Sequence, residues 1–319
     1  MKKLIGFVIL FITLLITKGL FAQQDAHFSQ YMFNQQYINP AFAGTQSNIT
    51  AMLFHRRQWV DMPGSPITQN LSAIVPFKRK NFAAGLNVVN DQIGITGSLN
   101  LKASFAYYLN LKKGRLSFGL AGGLQQYSLD GTKLAINDNT DQVFTNSSVA
   151  RISPDFDFGI FYRTGKYFIG VASTHLNNPG RRVTAYRTSQ SAMTARHYYI
   201  SAGYTIEVDE KFKVIPTVLT RYSESREFSN NFSSDISTRV EYMELAWVGT
   251  AYRASDALIF FLGLNVGRIN PDIFKENIKI GYAYDASVSR IPAYNRGSHE
   301  IFISYEYTPK VKRMMPKFK

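Results

Sequence analysis

The sequence predicts an all-β protein: a transmembrane antiparallel β-barrel of fourteen strands, with a short N-terminal segment packed in or under it. Three observations predict it. Apolar residues recur at every second position, the alternating segments run to about ten residues, and the links between them alternate short and long. Successive strand side chains point to opposite faces, so each such segment carries one apolar and one polar face. Crossing a bilayer at a tilt takes roughly nine to eleven residues, whereas strands of soluble sandwiches run to about five or six.

The first element is a targeting segment. Lys2 and Lys3 precede an apolar run from Leu4 to Ile16, and Leu20, Phe21 and Ala22 end on a small residue before Gln23. Residues 1–22 therefore read as a secretory signal peptide. The apolar run spans about 20 Å as a helix, too short for a bilayer anchor. The chain has no cysteine, which excludes a lipid-anchored N-terminus, disulfides, thiolate metal sites and cysteine nucleophiles. Residues 23–48 are polar and aromatic with a break at Asn39-Pro40, and form an N-terminal segment expected as a plug or on the short-turn, periplasmic side.

Residues 49–307 form the barrel. The clearest strand places Leu99, Leu101, Ala103, Phe105, Tyr107, Leu109 and Leu111 on one face and Asn100, Lys102, Ser104, Ala106, Tyr108 and Asn110 on the other. The pattern returns over 116–124, 198–206, 258–266, 278–284 and 299–307, more weakly over 67–77, 82–91, 156–164, 166–176 and 212–222, and blurred over 49–59 and 239–253. These make thirteen segments. Barrels of this kind have an even number of strands, so a fourteenth is expected, hidden in 23–48 or 128–155 or merged with a neighbour. The links 60–66, 92–97, 128–155, 177–196, 223–238 and 268–277 read as longer, and 78–81, 112–114, 165, 208–211 and 254–257 as short; 289–296 is long where a short turn is due. Such alternation is the mark of short periplasmic turns and longer outer loops. Strand glycines such as Gly119, Gly122, Gly159 and Gly203 suit a curved wall. Residues 308–319 form a basic tail carrying Lys310, Lys312, Arg313, Lys317 and Lys319.

Composition bounds the function. With 45% apolar and 18% charged residues the chain is not disordered. The charge of +14 falls to +11 once Lys2, Lys3 and Lys18 leave with the signal peptide, and an exported chain meets no nucleic acid, so the basic excess is read against anionic lipid or a protein partner. His27, His55, His175, His197 and His299 never stand at the i, i+4 spacing of a helical zinc site, and alternation puts His299 on the apolar face and Glu300 inside. Phosphate-loop and nucleophile-elbow motifs are absent, and no catalytic residue, metal or cofactor is expected. A barrel hydrolase, which would assemble its serine, histidine and acid from distant strands, has no specific support. Lys102, Arg163, Lys213, Glu300 and Glu306 fall on inward positions and give a polar lumen. Tyr107, Tyr108, Tyr198, Tyr199, Tyr282, Tyr284, Tyr305 and Tyr307 fit aromatic girdles at the membrane surfaces.

Several blocks spread over the mature chain resemble one family. His27-Phe28-Ser29-Gln30-Tyr31-Met32-Phe33-Asn34 and Asn39-Pro40-Ala41-Phe42-Ala43-Gly44 are similar to the opening signature of the PorP/SprF family of the Bacteroidota type IX secretion and gliding machinery. Arg57-Gln58-Trp59, Gly64-Ser65-Pro66-Ile67-Thr68-Gln69 and Gly85-Leu86-Asn87-Val88-Val89-Asn90-Asp91 resemble its next blocks. Gly281-Tyr282-Ala283-Tyr284-Asp285 and Gly297-Ser298-His299-Glu300-Ile301 resemble its close. The resemblance implies a non-catalytic outer-membrane barrel serving export or surface attachment of large adhesin-like proteins with a type B C-terminal sorting domain, in contact with periplasmic parts of the machine. A porin or hydrophobic-solute channel is the alternative. Substrate contacts are expected on 128–155, 177–196 and 223–238, with 23–48 facing the other side.

Overall fold

The computed structural model describes residues 25–77, 80–133, 148–177, 195–224, 232–254, 256–269, 276–288 and 295–308. Among them run fifteen strands: β1 (Ile49–Arg57), β2 (Ile67–Phe77), β3 (Phe82–Ile93), β4 (Thr96–Leu111), β5 (Gly114–Asp130), β6 (Ser148–Arg163), β7 (Tyr167–Thr174), β8 (His197–Tyr204), β9 (Ile206–Glu207), β10 (Phe212–Ser223), β11 (Phe232–Tyr242), β12 (Ala246–Arg253), β13 (Ala257–Asn265), β14 (Asn277–Ser287) and β15 (Ser298–Tyr307). Neighbours in sequence pair antiparallel, and β1 pairs with β15 from Ile49↔Tyr307 to Arg57↔His299. The sheet thereby closes into a barrel of fourteen full strands, with β9 as a two-residue extra. No helix among the described residues is long and apolar enough to cross a membrane.

The extra strand has a local cause. Both β8 and β9 pair with β10, leaving Pro216 opposite the gap between them. Proline has no N–H for the ladder, so the strand breaks at Thr205 and resumes. The other two strand prolines also lie where one neighbour is missing: Pro76 is past the end of the β1 ladder and Pro154 precedes the start of the β7 ladder.

The fourteenth strand is β11, which the sequence merges into 239–253. Its inward residues Asp235, Ser237, Arg239 and Glu241 are all polar, and Ser234 and Thr238 interrupt its outward face. The turn to β12 carries no glycine or asparagine either. Met243 and Glu244 both take positive φ, 50° and 58°, and Leu245 N–H donates to the Tyr242 carbonyl at 2.8 Å. That conformation normally selects Asn-Gly, so the sequence gives no turn signal. Met243→Gly relieves the left-handed strain and is expected to raise stability by about 1 kcal/mol in urea titrations of the detergent-held barrel.

Splitting 239–253 reassigns the last links. The strand ends that flank 58–66, 94–95, 131–147, 175–196, 224–231, 254–256 and 288–297 lie at one rim, the long-loop rim, and those that flank 78–81, 112–113, 164–166, 208–211, 243–245 and 266–276 at the other, the short-turn rim. The expected alternation therefore fails at three links, the first of them the two-residue turn 94–95 on the long-loop rim. The short 254–256 sits on the long-loop rim, and the longer 266–276 on the short-turn rim, where a helical turn spans Val266–Ile269. The strand ends flanking the anomalous 289–296, Ser287 and Ser298, are at the long-loop rim, where a long link is regular. Two links on the long-loop rim are shorter than expected. The β3–β4 ladder runs to Ile93↔Thr96, leaving a tight turn at Gly94-Ile95, and residues 148–155 of the expected loop belong to β6.

The two faces of the wall differ in chemistry. Outside stand Leu53, Leu71, Leu101, Phe105, Leu120, Val171, Val248, Leu262 and Ile303, all exposed. Inside are Thr68, Asn70, Lys102, Ser104, Asp155, Asp157, Asp235, Asp285, Glu300 and Ser304, all buried. Two of the girdle tyrosines are displaced: Tyr108 and Tyr199 follow outward tyrosines directly, so alternation turns them inward, where both are buried.

Candidate functional site: the filled lumen

What buries the inward side chains is the N-terminal segment. Its proline and two short 3-10 turns, Gln35–Tyr37 and Pro40–Thr45, make a compact strand-free path. It enters at the long-loop rim, where Asp25 meets His175, and leaves at the short-turn rim, where Arg115 donates to the carbonyls of Gly44 and Gln46, both at 3.3 Å. The segment thus lies in the barrel along its length. Of the two placements expected, in the barrel or on the short-turn side, it takes the first, and only its last residues reach the short-turn side.

Near the long-loop rim the segment is held by charge. The Glu300 carboxylate accepts the backbone N–H groups of Ser29 (2.7 Å) and Gln30 (2.9 Å). Ser29 Oγ donates to Asp285 at 2.7 Å and accepts from Arg56 at 2.5 Å. Arg56 also pairs with Asp285 at 2.7 Å and Glu300 at 3.4 Å, while Arg253 bridges Asp235 (3.2 Å), Asp256 (3.3 Å) and Asp285 (3.6 Å). Arg221 pairs with Asp235 as well. Three buried guanidiniums thus face three buried carboxylates, which is how a desolvated lumen can hold charge at all.

Below this the contacts turn neutral and apolar. Asn34 donates to Asn70, Gln36 to Ser104 (2.8 Å), and Tyr31 shares a hydrogen bond with Thr217 (3.0 Å). Phe28 packs on Phe54, Phe33 lies between Trp247 and Phe302 with the Arg239 guanidinium over its ring, and Phe42 packs edge-on to Phe161. Asn39 fixes the bend: its side chain accepts from Ala41 N–H (2.9 Å) and donates to the wall carbonyls of Ile160 (3.1 Å) and Val171 (3.2 Å). Asn39→Ala removes the cap and both anchors, about 1–2 kcal/mol. Amide exchange over 41–45 is expected to rise roughly tenfold with the wall unchanged.

The sequence-predicted residues divide between this site and its rim. Phe28, Ser29, Gln30, Tyr31, Asn39, Pro40 and Gly44 are buried in the lumen, joined there by Thr68, Ser298 and Glu300. Arg57 points outward and is exposed; the arginine that binds the segment is its neighbour Arg56. Gln58, Trp59, Pro66 and Gly297 build the long-loop rim, with Gln58 N–H on the Pro66 carbonyl (2.9 Å), Trp59 N–H on Ser298 Oγ (3.1 Å) and Val60 N–H on the Gly297 carbonyl (2.8 Å). His299 stands on the outer face, hydrogen-bonded to Tyr282 at 2.6 Å.

A second polar cluster, which no sequence spacing announces, lies at the entry of the segment. His175 Nε2 is 2.9 Å from Asp25 and its Nδ1 is 2.7 Å from Asp155, while Lys102 pairs with Asp155 (2.8 Å) and Asp157 (2.7 Å). Burial opposes the charge on both partners of the Asp25–His175 pair, yet the surroundings override it, His175 and His197 for Asp25 and Asp25 and Asp155 for His175. The Asp25 carboxyl is held well below the usual carboxylate range, and the His175 imidazole is raised to about 9.

A closed antiparallel barrel of long strands, apolar outside and polar within, is the outer-membrane β-barrel class, and this chain resides in the outer membrane. The family model for the type IX secretion system membrane protein PorP/SprF matches residues 20–305, and the chain belongs to that family. It is a family of secretion-system membrane barrels, not of enzymes, and membership makes the chain an outer-membrane component that works with other parts of the type IX machinery. No curated protein matches the sequence. Among solved structures, the toluene transporter TodX of Pseudomonas putida is 10% identical, with 88% of this chain and 94% of that one covered at a TM-score of 0.48. A FadL homologue of Pseudomonas aeruginosa is 13% identical, covering 85% and 92% at 0.44, and the translocator domain of the autotransporter NalP of Neisseria meningitidis is 8% identical, covering 87% and 95% at 0.44.

Proposed function

We propose that the barrel serves export or cell-surface attachment of large adhesin-like proteins carrying a type B C-terminal sorting domain, in partnership with periplasmic components of the secretion and gliding machinery. The observation that carries this reading is the filled lumen. A bore occupied by residues 25–46 leaves the work to the rims, in contrast to a porin or hydrophobic-solute channel, whose work is done by the bore. Residues 1–22 export the chain as a cleaved signal peptide. The long-loop rim faces the cell exterior, and the stretches 128–155, 177–196 and 223–238, of which 134–147, 178–194 and 225–231 are outside the described residues, hold the secreted partner. The short-turn rim and the basic tail 308–319, which is outside the described residues after Thr308, face the periplasmic machinery.

The test is affinity isolation from detergent-solubilised outer membrane, paired with deletion of the gene. Recovery of a large surface protein with that sorting domain, and its loss from the cell surface in the deletion strain, is the expected result. Isolation of the barrel alone with steady conductance in planar bilayers would decide for the channel. Deleting 177–196 checks the placement: a folded barrel that still retains its surface partner fully would remove the loop from the contact.

A further inference from the structure

We propose that Asp25, His175 and His197 form a binding site for a divalent transition-metal ion of the zinc type, at the long-loop end of the lumen. Three ligand atoms, one from each residue, lie within 4.8 Å of one another. Two imidazoles and one carboxylate are a donor set that suits Zn²⁺ with a fourth position left for water. His175 Nε2 is 2.9 Å from one Asp25 oxygen and His197 Nδ1 is 3.6 Å from the other. Around a tetrahedral ion with bonds of about 2.0–2.1 Å, ligand atoms stand roughly 3.3 Å apart. The edge from His175 to Asp25 is already near that value.

Three further observations support a metal over a simple ion pair. His197 is buried, and its Nδ1 stands 3.6 Å from the Asp25 carboxylate, too far for a hydrogen bond and a gap that a shared ion would bridge. His175 is held from behind in the manner of metal-binding histidines: its Nδ1 meets Asp155 at 2.7 Å, and Asp155 is itself fixed by Lys102 at 2.8 Å and Asn100 at 3.0 Å. Tyr199 O–H donates to Asp25 at 2.9 Å and leaves the other carboxylate oxygen for the ion. The bound ion would tie the first described residues of the segment to the β7–β8 side of the wall, a role independent of which secreted protein the barrel serves.

The test uses the full chain, expressed with its own leader, purified from outer membrane in detergent without a histidine tag and stripped with chelator. Titration with ZnCl2 is expected to show one tight ion per chain. His197→Gln and Asp25→Asn, with folding checked by heat-modifiable migration on gels, are each expected to weaken it at least about tenfold. CoCl2 added to the wild-type chain reads the geometry without any variant. The intense visible absorption of a four- or five-coordinate site supports the proposal. A spectrum unchanged from the aqueous ion, or His197→Gln binding Zn²⁺ like the wild type, overturns it.

Discussion

Arg56→Met is expected to destabilise the barrel by about 3–5 kcal/mol, the cost typical of leaving buried charge unpaired. Arg56 is 2% exposed and touches Asp285, Glu300 and Ser29 together. Without it Glu300 keeps the backbone donors of Ser29 and Gln30 and the Gln30 side-chain amide at 3.4 Å, all neutral, and Asp285 keeps Ser29 Oγ and Arg253 at 3.6 Å. Two carboxylates then share a dry pocket with too little positive charge. The loss is read as a lowered urea midpoint and the disappearance of the heat-resistant band on gels.

Two companion variants separate charge from packing. Arg57→Met removes the exposed neighbour and is expected to shift stability by no more than about 0.5 kcal/mol. Glu300→Gln in the Arg56→Met background removes one stranded charge and keeps an acceptor for the segment, so part of the loss is expected to return. An Arg56→Met barrel within about 1 kcal/mol of the wild type would show that the ion cluster does not hold the segment.

The wall was legible because its chemistry repeats. Strands such as β4 and β13 alternate strictly, and period two with ten-residue lengths is enough to specify a lipid-facing sheet. The failures are local and physical. β11 hides because its inward face is polar and its turn uses Met243 and Glu244 in a conformation that ordinarily advertises itself by glycine or asparagine. In β12 Trp247 points inward to Phe33 while Val248 faces out, so two apolar residues in succession blur the period. The first residues of β6 read as loop because Pro154 stands there, and it is tolerated because β7 does not pair at that height.

The site was less legible than the fold. Alternation places Glu300 inside and His299 outside, but it cannot say that Glu300 meets the amides of residues 271 and 270 positions away. It also cannot choose between Arg56 and Arg57 until the register of β1 against β15 is known. The Asp25–His175–His197 cluster gathers residues from three distant parts of the chain, and no spacing rule reaches it. A signal did exist in the glycines. Read as relief for a curved wall, Gly119 and Gly159 are instead hollows for the segment.

Gly119→Ala is therefore expected to unseat the N-terminal segment and open the lumen. A Cβ at Gly119 would lie 2.2 Å from the Ala41 nitrogen and 2.4 Å from the Pro40 carbonyl carbon. Both are backbone atoms of a turn fixed by the proline ring and by Asn39, so no side chain can swing away to make room. The wall cannot yield either, because Gly119 is paired on both sides, to Ala106 and Gly159. At Gly122 the added Cβ meets only the Phe156 ring at 3.4 Å, which makes Gly122→Ala the matched control. In planar bilayers the wild type and the control are expected to be silent, and Gly119→Ala to show fluctuating conductance as residues 40–45 leave their groove. Protease added from the short-turn side is expected to cut the segment only in Gly119→Ala. If Gly119→Ala stays silent and protected, the segment is not seated against β5, and the filled lumen loses its main support.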